Sequence, residues 1–251
     1  MAPTIERVLG RRLPRRITDV VERMRAIDGA LPAADGIACF NKLYLAVTEN
    51  VAAAVGAGTF RDPRFLSRFD VVFANLYFTA LRGFLLGKGP RPHAWQPLID
   101  SRRRRRIMSI QFALAGMNAH VNRDLPVALV EAWRAFSIEP HRPSPQYDDF
   151  QTVNAILAAT EERVKILYST GAVGRLDRDL GRADDVLAMW KVERAREAAW
   201  VNGETLWALS STPRVRAEFL RSLDRMVGFA GRGLLRPLPH LAATPARRTP
   251  R

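Results

Sequence analysis

Four side chains that could do acid/base or hydrogen-bonding chemistry lie in a largely apolar segment, "FALAGMNAHVNRDLPVALV" at residues 112–130. They are Asn118, His120, Asn122 and Asp124. Because burying a polar group without a partner costs roughly 1–3 kcal/mol, these residues need a structural or a chemical reason to be there. His120 and Asp124 are four residues apart, which places an imidazole and a carboxylate on the same side of a helix. A carboxylate in that position orients the imidazole and raises its basicity.

Two interpretations of this segment remain open from its residues. In the catalytic one, His120 is a general base or acid oriented by Asp124, and Asn118 and Asn122 position or polarise a substrate oxygen. In the structural one, the same side chains satisfy backbone groups freed where Pro126 breaks the helix near 124–125, with Asp124 as the N-cap of the next helix. The four residues together favour a functional site.

Other polar or indole side chains lie within apolar helical stretches. Each alone is typical of a structural bridge between helices, but a shared pocket would satisfy many of them together. We therefore predict a substrate-binding set, with Trp190, Trp200 and Trp207 as possible walls. This set comprises Asp70, Asn75, Tyr77, Asp149, Asn154, Arg196 and Trp200.

The sequence lacks the familiar motifs of cofactor and nucleophile chemistry. There is no G-x-S-x-G elbow, Walker loop, dinucleotide fingerprint, H-E-x-x-H or C-x-x-C. We therefore predict no cofactor and no metal. The alternative of a metal site would need mostly carboxylate ligands, for example His120 and Asp124 with Asp70 or Asp149.

Helical spacing of apolar residues runs through nearly the whole chain, and strand-like alternation is scarce. We predict an all-α single domain over residues 1–240, a bundle of about eight helices around a central, largely buried helix pair, followed by a disordered basic tail at 241–251. Proline-rich loops are expected at 87–100 and 138–149. The predicted helices span about 18–30, 36–55, 63–86, 102–123, 126–137, 150–169, 186–209 and 212–230.

The net charge of +14 raises the question of nucleic acid binding. The excess comes from 35 arginines against 4 lysines, a skew that high-GC codon use produces in part. Aromatic residues are not interleaved with the densest run, Arg102–Arg106, as a base-stacking surface would require. We expect a solvated helix face that attracts polyanions loosely, and no specific nucleic acid partner.

Composition also bears on location. No apolar run reaches the ~18–20 residues of a membrane span, and the first residues lack the apolar core of a signal peptide. Cys39 is the single cysteine, so an internal disulfide is impossible. These features predict a cytoplasmic protein without a membrane span, and they leave its oligomeric state open.

Five segments together resemble an actinobacterial protein family that carries a domain of unknown function. The most specific is N-A-H-[VI]-N-R-D-L-P, here "NAHVNRDLP" at 118–126, and the similarity covers most of residues 18–236. The resemblance implies a bacterial, soluble, helical protein, with some members in specialised metabolism, and transfers no activity. The other segments are "MRAIDGALPAADGIACFNKLYLAVT", "FDVVFANLYFTAL", "YDDFQTVNAIL" and "AREAAWVNGETLW".

The leading hypothesis is a cofactor-independent enzyme of bacterial specialised metabolism. It would act on a small apolar or polyketide- or terpenoid-like metabolite by acid/base chemistry between helices, as a cyclase, isomerase, lyase or hydrolase. The alternatives are a non-catalytic binder of an apolar metabolite and a metal-dependent hydrolase. The binder predicts an apolar cavity from which the His120 side chain points away.

Overall fold

Apolar residues at three- and four-residue spacing build ten α-helices in the computed structural model, which describes residues 3–170 and 192–237. Within these two ranges there is no β-strand, so the predicted all-α class is confirmed. A π-helical turn at His120–Asp124 joins two of the helices, and a 3₁₀ turn at Leu209–Ser211 precedes the last. The helices are α1 (Ile5–Leu9), α2 (Ile17–Ala30), α3 (Gly36–Gly56), α4 (Pro63–Leu86), α5 (Gln96–Ser101), α6 (Ser109–Ala119), α7 (Leu125–Phe136), α8 (Pro145–Thr170), α9 (Val192–Ala208) and α10 (Pro213–Leu234).

The central helix pair consists of α4 and the rod formed by α6 and α7. Every residue of α6 is buried. Helix α3 packs on α6, α4 and α9 pack on α7, and α10 covers α6 from another side. Close approach of α3 requires Gly116, because a Cβ there would lie 2.3 Å from the Phe40 ring. The rod therefore contacts neighbours on most sides, and its polar residues face protein.

Helix α4 begins and ends where its sequence signals indicate. The Asp62 carboxylate accepts a hydrogen bond from the Phe65 N–H at 3.0 Å, and Pro63 occupies the first turn. Gly87 ends the helix at φ 68°, in the left-handed region. By length and composition α4 is able to cross a membrane, but 61% of its most apolar window is buried in the fold, as in the core helix of a soluble protein.

The predicted helix over 102–123 is wrong at its beginning. Helix α6 begins at Ser109, and residues 102–107 form turns. In a helix, arginines three and four positions apart in this run would repel one another, and the Arg102 carbonyl accepts a hydrogen bond from the Gly36 N–H at 2.8 Å. The predicted loop 87–100 contains α5, whose Pro97 is tolerated in the first turn.

The other helix boundaries differ less from the predicted ones. Helix α8 begins at Pro145, within the predicted loop 138–149, and α10 continues to Leu234. The predicted tail 241–251, Trp190 and the beginning of the helix expected from 186 lie outside the described residues.

Candidate functional site

The polar segment adopts a π-helical turn because Pro126 follows it. Proline has no N–H for the Asn122 carbonyl, and its ring crowds that oxygen. The Leu125 N–H donates to the His120 carbonyl, a step of five residues, so the helix widens and continues into α7. The predicted break at 124–125 is wrong, and Asp124 makes no capping hydrogen bond with its side chain. Turns of this kind are frequent at functional sites.

Asp124 is a fully buried carboxylate that receives three side-chain donors. Trp95 Nε1 donates to Oδ2 at 2.9 Å, Arg123 Nη1 donates to Oδ1 at 2.8 Å, and His120 Nδ1 lies 3.1 Å from Oδ2. Burial raises the pKa of Asp124, but the hydrogen bond from His120 and the charge of Arg123 outweigh it, and the pKa falls below its ordinary value. Asp124 is therefore ionised at neutral pH.

His120 is a neutral imidazole held in one orientation. Its ring stacks on Phe73 with centroids 3.6 Å apart and lies 4.5 Å from the Tyr44 ring. Burial lowers the pKa of His120, and the Asp124 carboxylate offsets only part of that effect. Since an ionised carboxylate can only accept, Nδ1 carries the proton and Nε2 carries a lone pair. Within the described part of the chain, Nε2 has no hydrogen-bond partner.

A cavity of about 50 Å³ lies beside His120, enough room for several water-sized groups. It is formed by residues of α3, α4, α6, α8, α9 and the π turn. Four of its lining side chains are polar: Tyr44, Asp70, His120 and Arg196. The remainder are apolar, namely Val47, Val51, Leu66, Phe69, Phe73, Met117, Val121, Val153, Leu157 and Val192. The cavity is thus an apolar space with a few polar groups, the usual composition of a small-molecule site.

Two further polar atoms lie at this cavity without a hydrogen-bond partner among residues 3–170 and 192–237. They are the Tyr44 hydroxyl and Asp70 Oδ2, both buried. Burial raises the pKa of Asp70 to about 7. Burial, together with the charges of Asp70 and Asp124, raises the pKa of Tyr44 well above its usual range, and the Thr48 side chain offsets this slightly. The Thr48 hydroxyl donates to the Tyr44 backbone carbonyl and forms no hydrogen bond of good geometry with the Tyr44 hydroxyl. Asp70 can therefore carry a proton near neutral pH while His120 lacks one.

Arg196 adds a buried positive charge to the wall. Its Nε donates to Asn154 Oδ1 at 2.7 Å, and its Nη2 donates to the Phe150 carbonyl at 2.6 Å. Burial lowers the pKa of Arg196 to about 9, so the guanidinium stays charged at neutral pH. Among the residues whose side chains the structure describes, no carboxylate forms an ion pair with Arg196. An oxygen that gains negative charge in the cavity would be stabilised by this cation.

The two asparagines of the motif do not face the cavity. Asn118 Nδ2 donates to the Val227 carbonyl at 3.0 Å, and Asn122 Nδ2 donates to Asn118 Oδ1 at 3.1 Å. They tie the central rod to α10. These two residues therefore have a structural role, but they bind α10 and each other and not backbone groups freed at Pro126. His120 and Asp124 remain candidates for acid/base chemistry.

Several predicted substrate-binding residues also lie away from the cavity. The Asn75 amide donates to a loop carbonyl before α2 at 3.0 Å. Tyr77 donates to Asn41 Oδ1 at 3.4 Å, and Trp200 donates to Glu204 Oε1 at 2.8 Å. Of the predicted set, the structure brings Asp70 and Arg196 to the cavity with His120, and Asn154 supports Arg196 from behind.

The ligand set suggested for a metal is not assembled. Asp149 accepts hydrogen bonds from the backbone N–H groups of Arg61 and Asp62 at 2.7 and 2.6 Å, where it fixes the connection before α4. In the part of the chain that the structure describes, no group of three or more His, Cys, Asp or Glu side chains is arranged to hold a metal ion.

Sequence reasoning missed two residues of the site. Tyr44 is the single hydroxyl in the apolar stripe of Phe40, Leu43, Val47 and Val51, and that isolation is a usable signal. Trp95 lies in a proline-rich stretch with no local feature that indicates its distant carboxylate partner.

Comparisons with known proteins identify a family and no individual relative. No curated protein and no solved structure matches the chain. The model of a family of unknown function, DUF5995, matches residues 17–237. This match covers most of the chain, which therefore belongs to the DUF5995 family.

Proposed function

We propose that the protein is a cofactor-independent enzyme that performs acid/base chemistry on a small molecule. One observation carries this proposal: three buried polar groups without partners in the described residues line a single, mostly apolar cavity. They are His120 Nε2, the Tyr44 hydroxyl and Asp70 Oδ2. Keeping such groups unsatisfied costs about 1–3 kcal/mol each, and a bound substrate would supply the missing partners.

The groups have complementary roles in a proton transfer. His120 Nε2 takes a proton from the substrate, and Asp124 stabilises the imidazolium that forms. The Tyr44 hydroxyl donates to the substrate oxygen, and Arg196 balances the negative charge that develops there. Asp70, protonated near neutral pH, returns a proton at another atom. An isomerase, lyase or cyclase needs this set of steps, and a hydrolase would use His120 to activate water.

Cavity size limits the substrate. A site that encloses a drug-sized ligand has roughly 300–1,000 Å³, whereas this cavity has about 50 Å³. The reacting end of the substrate, with one oxygen and a few carbons, would occupy it. The apolar walls suit an apolar metabolite, such as one of bacterial specialised metabolism. The protein would act on it in the cytoplasm.

The test is a comparison of the wild-type protein with His120→Ala on the small-molecule extract of the source bacterium, followed by mass spectrometry. We expect the wild type to convert at least one metabolite, and the folded variant to lose conversion by about 10²–10⁴-fold, the usual contribution of a general base. Full conversion by the folded variant contradicts the assignment of His120. A metabolite that is retained unchanged by both proteins favours the non-catalytic binder.

A further inference from the structure

A second cavity, of about 840 Å³, lies near the beginnings of α1, α3 and α6 and shares none of its described lining residues with the cavity beside His120. Four consecutive arginines, Arg102–Arg105, line it together with the α2–α3 connection. The proposed acid/base chemistry uses none of these residues. We propose that this cleft binds a small organic phosphate. The turn formed by Arg102–Arg105, here called the arginine turn, would bind the phosphate groups.

The arginine turn is fixed before any ligand arrives. The Arg104 N–H donates to the Ser101 carbonyl at 2.8 Å, and the Gly36 N–H donates to the Arg102 carbonyl at 2.8 Å. A Cβ on Gly36 would lie 3.0 Å from the Arg102 Cα, so the beginning of α3 packs tightly against the turn. Because the backbone is already fixed, ligand binding need only order the arginine side chains and not the turn that carries them.

Positive charge in the cleft exceeds the negative charge available to balance it. Arg102 Nε lies 3.1 Å from Asp35 Oδ2, and this pair is mostly buried. In the described part of the chain, Arg103, Arg104 and Arg105 form no ion pair. Glu6 is the other acidic residue in the lining. A phosphate would relieve the repulsion among adjacent guanidinium groups, which bind phosphate oxygens in a bidentate manner.

Arg102 also has an unused donor. Its Nη1 is buried and has no hydrogen-bond partner among the described residues. An acceptor oxygen bound beside Arg102 would supply that partner. Since leaving a donor of a charged group unsatisfied is costly, this atom favours an anion at the inner part of the turn.

The shape and lining favour a small molecule over a nucleic acid. The volume falls within the range of about 300–1,000 Å³ typical of small-ligand sites. Among the described residues, none that lines the cleft has an aromatic ring on which bases of a single strand would stack. It contains apolar side chains, including Ile5, Leu31 and Ile107, that can cover the organic part of the ligand.

The test measures binding of ATP, inorganic pyrophosphate and single-stranded RNA to the full chain by calorimetry and by fluorescence anisotropy. We expect ATP to bind with one-to-one stoichiometry and more tightly than pyrophosphate. The variant Arg103→Gln/Arg104→Gln/Arg105→Gln should weaken ATP binding at least about tenfold, since each guanidinium–phosphate pair contributes about that factor.

The matched control is Arg64→Gln/Arg194→Gln/Arg214→Gln, which removes the same charge from exposed positions elsewhere. It should keep ATP affinity within about twofold, because screened distant charges contribute little. Circular dichroism establishes that both variants are folded. The proposal is overturned if ATP does not bind, if both triple variants weaken it equally, if pyrophosphate binds as tightly as ATP, or if RNA alone binds.

Discussion

Two buried carboxylates near His120, Asp70 and Asp124, have pKa values shifted in opposite directions. Asp124 receives donors from Trp95, Arg123 and His120, and these keep it ionised. Asp70 Oδ2 receives none from the described residues, so burial alone raises its pKa to about 7. The difference in donors produces a base at His120 and an acid at Asp70, the division of roles that acid/base catalysis requires.

Because its pKa is raised in the folded state, Asp70 should lower the free energy of unfolding as pH rises. Its folded pKa is about 7 against an ordinary 3.8, so the folded state binds the extra proton, and stability is lost between these two values as the group ionises. Relative to wild type, Asp70→Asn should therefore gain about 2–4 kcal/mol in unfolding free energy at pH 8 and little at pH 4. Urea unfolding at both pH values measures this.

The control for Asp70→Asn is Glu139→Gln, which removes an exposed carboxylate. Its effect should stay within about 0.5 kcal/mol at either pH. An Asp70→Asn effect that is the same at pH 4 and pH 8 contradicts a raised pKa.

Tyr44 and Tyr77 allow a comparison of how much an unpaired and a hydrogen-bonded hydroxyl contribute to the free energy of unfolding. The Tyr44 hydroxyl is buried without a partner in the described residues, whereas Tyr77 donates to Asn41. Tyr44→Phe should leave the unfolding free energy unchanged or raise it by about 1 kcal/mol, and Tyr77→Phe should lower it by about 1 kcal/mol. Chemical denaturation measures both. Equal losses in the two variants would show that the Tyr44 hydroxyl stabilises the fold and is not reserved for a ligand.

Among the helices, the π turn shows which feature the sequence could predict, the position of a disruption, and which it could not, its form. Pro126 indicates the position of a disruption, and this position is correct. The form of the disruption depends on neighbours: Trp95, the residue before α5, donates to Asp124, and the Val227 carbonyl of α10 accepts from Asn118. Proline chemistry permits either a broken helix or a widened one, and tertiary hydrogen bonds stabilise the widened form.

Substitutions of two tryptophans measure how much the Trp95–Asp124 hydrogen bond contributes to the free energy of unfolding. Trp95→Phe removes the donor to an ionised, buried carboxylate and should cost about 2–3 kcal/mol beyond the change in packing. Trp133→Phe is the control, because the Trp133 Nε1 is buried without a partner among the described residues. It loses only packing. Guanidinium unfolding of both variants gives the difference, and equal losses would mean that the Trp95–Asp124 bond contributes nothing.

At the scale of the whole molecule, helical periodicity and the i, i+4 spacing of His120 and Asp124 are local properties, and both are readable from the sequence. The cavity is not local. Tyr44, Asp70 and Arg196 come from α3, α4 and α9, and no spacing within the chain indicates that they converge. The sequence does not distinguish among the polar residues of apolar helices. Packing does: Asp70 and Arg196 line the cavity, whereas Asn75 lies outside it and donates to a loop carbonyl.

The proposed chemistry requires His120 to be a neutral base whose Nε2 carries a free lone pair at the cavity. Nuclear magnetic resonance of protein labelled with ¹⁵N-histidine tests it directly, with the signal assigned by its loss in His120→Gln. At pH 7 we expect a proton on Nδ1 and none on Nε2, with protonation only below the ordinary pKa of 6.5, because burial favours the neutral ring. A proton on Nε2 at pH 7, in either the neutral or the charged ring, would contradict the account.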